Sequence, residues 1–180
     1  SCTHSSLEDK IGEDNLSPRV AVGDIRAEAR TLEQRPISSF PFKTRAFFKV
    51  QDGCNSRCSF CIIPMSRGRS RSLPLDQALR QAILFDKQGY QEIILTGIHL
   101  GSYGRDLSSK LSLTHLLREI LKETRIPRIR ISSVEPREVT PEFLTLVEES
   151  DRICKHLHIP LQSGNEQILR EMNRNYSAGF

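Results

Sequence analysis

The sequence has no run of about 18 apolar residues, which is the length that a membrane-spanning helix requires. Its first residues, SCTHSSLEDKIGEDN, contain no apolar segment like that of a secretory signal peptide. They also include no initiator Met. These absences argue against a membrane protein and against a secreted one. They predict that the chain is a fragment of a longer, cytoplasmic protein.

Strong charge of either sign is absent as well. The net charge is +4 at pH 7, which is compatible with a nucleic-acid partner but does not by itself indicate one. The chain has 180 residues, of which 37% are hydrophobic and 27% are charged, as in a globular protein. This length suits one domain with a short appendage and is sufficient to bury a core.

The five cysteines lack the even number and the spacing of a disulfide framework. Three of them, Cys54, Cys58 and Cys61, lie within eight residues in the pattern C-x3-C-x2-C, and no fourth cysteine is nearby. Because a secretory signal is also absent, we interpret the cluster as a metal or redox site in a reducing compartment.

The chain divides near residue 45. Residues 1–45 are rich in charge, include Pro36 and Pro41, and predict a linker with at most a short helix over residues 24–33. From Ala46 onward, strand-like runs alternate with helix-like runs, which is typical of βα units around a parallel sheet. The four predicted strands are residues 46–50, 92–97, 128–134 and 156–161.

Helix signals separate these strands. Apolar residues recur at helical spacing after Pro74, with Gly89 near the end, and again after Ser112, a candidate N-cap. Thr140 with Pro141 predicts the start of a third helix, and NEQILREMN begins a fourth. The chain therefore holds about four βα units, an α/β order that suits a barrel or a doubly wound sheet, and periodicity does not distinguish them.

Two metal sites are compatible with three clustered cysteines. Structural zinc requires a fourth ligand, which would have to come from Cys2, Cys154 or a distant His. An iron–sulfur cubane held by three thiolates instead leaves one iron without a protein ligand, where a substrate or cofactor can bind. The loop follows the first strand directly, at the sheet edge where βα folds place their active sites, and this favours the cluster.

The motif C-x3-C-x-aromatic-C, with Phe60 as the aromatic residue, resembles that of the radical S-adenosylmethionine (SAM) superfamily. The resemblance implies a partial (βα) barrel over residues 46–180 and a [4Fe–4S] cluster on Cys54, Cys58 and Cys61. It also implies that the open iron binds the amino and carboxylate groups of SAM, whose reductive cleavage yields a 5′-deoxyadenosyl radical. An electron donor such as a flavodoxin or ferredoxin is expected.

The surrounding sequence DGCNSRCSFCIIPMSRGRSRS resembles the methylthiotransferases within that superfamily. LTGIHLGSYG resembles the branch that acts on N6-threonylcarbamoyladenosine beside the tRNA anticodon, whereas other branches show GQN-type or AQD-type motifs there. RIRISSVEP and HLHIPLQSGN resemble the same branch. The resemblance implies insertion of a methylthio group at C2 of that adenosine by a monomeric enzyme.

Alternatives remain open at this point. The substrate could be another adenosine or an aspartate of a ribosomal protein, and a zinc-bound nucleic-acid-binding module without catalysis would belong to a different class. Members of the family also carry an N-terminal domain with a second [4Fe–4S] cluster and a C-terminal tRNA-binding domain, and neither is recognisable here. We therefore expect the chain to hold the radical-generating part and to be inactive in methylthiolation by itself.

Further site residues are implied by the resemblance. Phe60, Thr96, Gly97, Ser133, Glu135 and Gln162 are candidates for SAM binding. Gly97 could instead be an ordinary glycine at the end of a strand, and Ser133 and Glu135 could cap a loop. The basic run Arg67, Arg69 and Arg71 is a candidate contact for tRNA phosphates, or else a solvated charged turn.

Overall fold

The structure is a computed structural model that describes residues 32, 44–107 and 111–180. The helix predicted over residues 24–33 lies outside this part of the chain, apart from Leu32, which is buried against the core. No helix in the described ranges has both the length and the apolar character needed to cross a bilayer.

Five strands form two sheets among the described residues. They are β1 (Arg45–Lys49), β2 (Gln51–Asp52), β3 (Arg71–Ser72), β4 (Glu92–Thr96) and β5 (Arg128–Ile131). β1, β4 and β5 form a parallel sheet in that order, with Phe48 opposite Leu95 and Leu95 opposite Ile131. Each of these strands is added beside its predecessor, an order that a barrel requires and that one half of a doubly wound sheet also has.

Five helices lie in the described ranges, and the sequence predicted four of them. They are α1 (Ile63–Ser66), α2 (Leu75–Lys87), α3 (Leu113–Glu123), α4 (Pro141–Glu149) and α5 (Glu166–Glu171). α2 packs on α3 and α3 on α4, on the same face of the sheet. The predicted caps are confirmed: Ser112 accepts from the His115 amide and Thr140 from the Phe143 amide. Gly89 adopts a φ of +76° after α2, as predicted.

The prediction of a fourth strand over residues 156–161 is wrong. Within that segment only His158 pairs with a neighbour, in an isolated bridge to Ser133, and a second isolated bridge joins Ile153 to Ile129 just before it. The tight turn in which the His156 amide donates to the Cys154 carbonyl bends the chain between them, and Pro160 lacks an amide donor. The third strand is also shorter than predicted, since β5 ends at Ile131.

The core lies between the parallel sheet and helices α2, α3 and α4. Phe48 of β1 meets Phe85 of α2 edge to face with ring centroids 5.7 Å apart, and Phe85 meets Tyr90 in the same way at 5.4 Å. Burial of these rings fixes β1 against α2. It thereby fixes the position at which the chain leaves the carboxyl end of β1.

The short hairpin of β2 and β3 was not predicted. Gln51 pairs with Ser72 and Asp52 with Arg71, so the two ends of the cysteine-containing segment are held together. Two residues per strand are too few to show an alternating pattern, which explains why periodicity missed the hairpin. The hairpin converts residues 53–70 into a closed loop above the parallel sheet, and this cysteine loop (residues 53–70) carries the candidate site.

Candidate cofactor site

The cysteine loop begins with a turn that only glycine fits. Gly53 has a φ of +68°, and a Cβ at this position would overlap the carbonyl oxygen of Arg69. The next amide, of Cys54, donates to the Gly68 carbonyl at 3.1 Å, and the Ser70 amide donates to Asn55 Oδ1 at 3.0 Å. These contacts close the base of the loop before the first cysteine leaves it.

Buried Gln51 joins this loop to the segment that follows β4. Its Nε2 donates to the Gly53 carbonyl at 2.7 Å and to Ser70 Oγ at 3.0 Å. Its Oε1 accepts from the His99 amide at 2.7 Å. A Cβ on Gly97 would lie 2.9 Å from the same Oε1, so the absence of a side chain at Gly97 makes room for Gln51. The Gln51 side chain therefore fixes the position of the cysteine loop relative to the segment after β4.

All three clustered cysteines line one open cavity of about 190 Å³. The cavity opens at the carboxyl ends of β1, β4 and β5, as βα folds require of an active site. Its wall is mixed: apolar residues alternate with a few polar and charged ones. The lining residues are Cys54, Ser56, Cys58, Phe60, Cys61, Ile63, Ile98, His99, Ser133, Val134, Glu135, Pro160, Gln162 and Arg174.

His99 lies between the first cysteine and a carboxylate. Its Nδ1 is 3.5 Å from Cys54 Sγ, and its Nε2 is 2.7 Å from Glu138 Oε1. Burial alone would lower the pKa of His99, but the hydrogen bond to Cys54 and the carboxylate of Glu138 raise it to about 10. His99 therefore carries a positive charge at neutral pH.

The same hydrogen bond acts on the cysteine. Burial would raise the pKa of the Cys54 thiol, but His99 and the Ser56 amide, 3.3 Å from the sulfur, together hold that pKa below its usual value. The thiolate is the form of cysteine that binds metal. Cys54 is thus prepared as a ligand by its surroundings.

Arg174 contacts the sulfur of the second cysteine, Cys58, as His99 contacts that of the first. Its Nη1 donates to Cys58 Sγ at 3.0 Å, and its Nη2 is 2.9 Å from Glu135 Oε1. The guanidinium also stacks over Tyr176, 5.2 Å from the ring centroid. Only 5% of the Arg174 side chain is exposed, so this charge faces the cavity rather than solvent.

Four of the six residues implied for SAM binding line the cavity: Phe60, Ser133, Glu135 and Gln162. Phe60 is 55% exposed, so its ring is accessible to a ligand. Thr96 and Gly97 lie at the end of β4 but are not part of the cavity wall. The Thr96 carbonyl accepts from the Val50 amide at 3.0 Å, so the structure shows a backbone role for this residue.

The basic run divides into two kinds of arginine. Arg67 and Arg69 are exposed at the outer edge of the cysteine loop. Arg71 lies in β3 with its Nη2 3.0 Å from the Arg67 carbonyl and 4.0 Å from Asp52 Oδ2, and only 15% of its side chain is exposed. Arg67 and Arg69 are therefore accessible to a phosphate, whereas Arg71 stabilises the hairpin.

Sequence reasoning missed four residues of the site: Gln51, His99, Glu138 and Arg174. His99 lies within LTGIHLGSYG, which was used only to assign a branch. Arg174 follows α5, 116 residues from the cysteine that it contacts. A pattern in the local sequence does not predict a contact between residues so far apart along the chain.

The cysteine cavity fits an iron–sulfur cluster. Among the residues that the structure describes, no three His, Cys, Asp or Glu side chains converge on the position of a single ion. A cubane does not require such convergence, because each cysteine binds a different iron. The lowered pKa of Cys54 and the cationic donors on two sulfurs suit thiolate ligands of an anionic cluster.

Comparison with known proteins identifies the family. Residues 48–179 match the sequence profile of the Radical SAM superfamily. The chain belongs to this superfamily. Membership implies a [4Fe–4S] cluster and SAM as cofactors, and it favours a cluster over structural zinc as the explanation of the three cysteines.

A solved structure and two relatives illustrate the similarity. The cobalamin-dependent radical SAM enzyme OxsB has the same fold over 74% of this chain and 20% of its own, with a TM-score of 0.57 and 17% identity. Threonylcarbamoyladenosine tRNA methylthiotransferase MtaB of Bacillus subtilis is 43% identical over 85% of this chain and 34% of its own length. The tRNA-2-methylthio-N(6)-dimethylallyladenosine synthase of Clostridium tetani is 39% identical over 74% of this chain and 30% of its own length. The radical SAM chain described here thus spans about a third of the length of these two relatives.

Proposed function

We propose that this chain is the radical-generating part of a tRNA methylthiotransferase. The observation that carries the proposal is the cavity lined by Cys54, Cys58 and Cys61 at the carboxyl ends of the parallel strands, in a chain that is 43% identical to a named tRNA methylthiotransferase. The three cysteines would hold a [4Fe–4S] cluster with one open iron. Residues 46–180 form the radical SAM core, and residues 1–45 link it to a domain with a second cluster.

The bound cluster and SAM supply a carbon-centred radical that can remove hydrogen from an unreactive C–H bond. The residues of the chain position SAM and exclude water. Ser133, Glu135 and Gln162 present a hydroxyl, a carboxylate and an amide to the cavity, which suit the ammonium and hydroxyl groups of SAM. Phe60 would offer an aromatic face to the adenine, and Thr96 and Gly97, at the end of β4 outside the cavity wall, are the proposed contacts of the methionine end.

Apolar side chains complete the cavity on its other sides. Ile63, Ile98, Val134 and Pro160 lie in the wall between the polar groups. A wall of this kind lowers the local dielectric constant and keeps water from the reacting carbon. The polar residues would therefore fix the orientation of SAM, while the apolar ones protect the radical step.

We further propose that the substrate is N6-threonylcarbamoyladenosine of tRNA, beside the anticodon, in the cytoplasm. LTGIHLGSYG and the name of the Bacillus subtilis relative support this assignment. The similarity to the Clostridium tetani enzyme, at 39% identity, keeps dimethylallyladenosine as the second candidate. Exposed Arg67 and Arg69 would contact phosphates of the anticodon arm, and a flavodoxin or ferredoxin would deliver electrons to a monomeric protein.

The first test is reductive cleavage of SAM by the anaerobically reconstituted chain. With dithionite and SAM, we expect 5′-deoxyadenosine and methionine in the wild-type chain and none in a Cys54→Ala, Cys58→Ala, Cys61→Ala variant. Cys154→Ala, which alters a cysteine outside the cavity, is the matched control and should cleave SAM normally. A chain that contains iron and sulfide but leaves SAM intact would refute the proposed chemistry.

The second test concerns the substrate and uses the full-length protein beside this chain. We expect the full-length protein to methylthiolate tRNA carrying threonylcarbamoyladenosine, as measured by mass spectrometry of the nucleosides. The chain alone should form none, because residues 1–45 do not contain the second cluster motif. Product on tRNA with dimethylallyladenosine instead would overturn the substrate assignment, and product from the chain alone would overturn the proposed division of labour.

A further inference from the structure

Two of the three cysteine sulfurs each face a side-chain nitrogen from a distant part of the chain. His99, 45 residues after Cys54, brings Nδ1 to 3.5 Å from the Cys54 sulfur. Arg174, 116 residues after Cys58, brings Nη1 to 3.0 Å from the Cys58 sulfur. The first donor comes from the loop after β4 and the second from the segment after α5, so the sheet fold itself assembles the pair.

One short turn holds both donors. The 3-10 helix Pro136–Glu138 and the preceding Glu135 form a capping box, in which each of the two glutamate side chains accepts from the other's backbone amide. From this turn, Glu135 Oε1 lies 2.9 Å from Arg174 Nη2, and Glu135 Oε2 lies 3.8 Å from His99 Nε2. Glu138 Oε1 completes the turn at 2.7 Å from the same His99 nitrogen.

The arrangement leaves these groups little freedom. The side chains of Glu138, His99 and Arg174 are only 5%, 11% and 5% exposed. A Cβ on Gly101 would overlap the Glu138 carboxylate, so that carboxylate is packed directly against backbone. Rigid donors held by buried carboxylates are the kind of surroundings that orient and tune metal ligands.

The hydrogen-bonding capacity of His99 follows from its two neighbours. A carboxylate and a metal-bound thiolate can both accept hydrogen bonds and neither can donate one. Nδ1 is the ring nitrogen that faces the sulfur, so the contact with Cys54 is favourable when Nδ1 carries a proton. His99 is therefore placed to donate from Nδ1 to the sulfur of Cys54.

We propose that His99 and Arg174 are positioning residues that raise the reduction potential of the cluster by donating hydrogen bonds to the sulfurs of Cys54 and Cys58. The proposal rests on the cluster assigned to these cysteines above. Reduction adds one negative charge to the cluster, and an N–H group directed at a ligand sulfur stabilises the reduced state more than the oxidised one. Neither residue needs to touch SAM or the tRNA to have this effect.

The test measures the midpoint potential of the reconstituted chain by redox titration followed by electron paramagnetic resonance, without SAM. His99→Leu and Arg174→Met remove the donors and keep much of the volume, and we expect each to shift the midpoint to lower potential. The double variant should shift it further than either single one. His156→Leu and Arg170→Met, which change exposed residues outside the cavity, are matched controls and should leave the midpoint unchanged.

A conservative variant separates hydrogen bonding from packing. His99→Asn places an amide nitrogen where Nδ1 lies and should keep most of the wild-type potential, whereas a merely structural role predicts the same shift as His99→Leu. If His99→Leu fails to load iron, Arg174→Met carries the test of the potential, and an unshifted midpoint in that variant overturns the proposal. Wild-type potentials in fully loaded His99→Leu and Arg174→Met, or equal shifts in His99→Asn and His99→Leu, would overturn the proposal.

Iron and sulfide analysis of the wild-type chain keeps this test apart from that of the proposed function. A wild-type chain without iron and sulfide refutes the cluster itself, and the inference about His99 and Arg174 is refuted with it. A loaded wild-type chain whose potential is insensitive to these variants refutes only the inference.

Discussion

At the scale of single residues, Gly53 and Gly89 have the same backbone conformation in different surroundings. Their φ angles are +68° and +76°, but a Cβ would overlap the backbone of Arg69 at Gly53 and would meet nothing within 4 Å at Gly89. Gly89→Ala should therefore lower the free energy of unfolding by about 1 kcal/mol, because alanine is strained in the left-handed conformation. In Gly53→Ala the new Cβ also overlaps fixed backbone, so the free energy of unfolding should fall by about 3 kcal/mol in all.

Chemical denaturation of the two variants checks this difference in the free energy of unfolding. Because Gly53 precedes Cys54 directly, Gly53→Ala should also reduce the iron bound after reconstitution, whereas Gly89→Ala should bind a normal amount. Equal destabilisation by the two substitutions would show that the close approach of Gly53 to Arg69 has no energetic consequence.

The site was predictable from the sequence only where its residues are close together along the chain. The spacing of the cysteines predicts that Cys54, Cys58 and Cys61 form a site, and the same motif includes their neighbour Phe60. Arg174 contacts Cys58 although the two residues are 116 positions apart, and the polar sequence around Arg174 does not distinguish it from other helix ends. Such contacts are created by the order of strands in the sheet, which side-chain patterns do not specify.

At the scale of elements, the N-caps of the helices behind the sheet can be tested one by one. The Thr140 hydroxyl accepts from the Phe143 amide at 3.2 Å and satisfies one of the free donors at the start of α4. Thr140→Ala should lower the free energy of unfolding by about 1 kcal/mol. Thr145→Ala changes an exposed residue in the middle of the same helix and is the matched control.

The control should be neutral or slightly stabilising, because alanine forms helices more readily than threonine. Thermal or chemical denaturation of both variants gives the comparison. If Thr140→Ala is no more destabilising than Thr145→Ala, the hydroxyl of Thr140 contributes nothing to α4.

Helices were predicted better than strands, and the reason is physical. α2, α3 and α4 carry an apolar stripe together with a cap or a terminal glycine, so two independent signals mark each one. The segment 156–161 alternates like a strand, yet pairing depends on a neighbour with matching backbone groups. The bend at His156 and the missing donor of Pro160 leave it with a single bridge to Ser133, an outcome that alternation does not reveal.

At the scale of the whole molecule, the end of the chain closes on the cysteine loop. Asn173 Nδ2 donates to the Arg57 carbonyl at 2.7 Å, and the Ser59 amide donates to the Met172 carbonyl at 3.2 Å. Asn173 has a φ of +55°, which asparagine tolerates better than most residues. These contacts join the first and last βα units of the described chain directly.

Asn173→Gly keeps this backbone conformation accessible and removes the hydrogen bond to Arg57. We expect faster amide hydrogen exchange in the cysteine loop, above all at Ser59, because the opening of this contact costs less free energy. Asn175→Gly, two residues further on and exposed, is the control and should leave exchange of the loop unchanged. Unaltered exchange at Ser59 in Asn173→Gly would show that the loop is held without the end of the chain.

The most direct test of the account is the iron, acid-labile sulfide and zinc content of the anaerobically prepared chain. We expect about four irons and four sulfides per chain, lost when Cys54, Cys58 and Cys61 are all changed to alanine and retained in Cys154→Ala. About one zinc without sulfide would contradict the account, because a closed structural metal site would then occupy the cysteine loop.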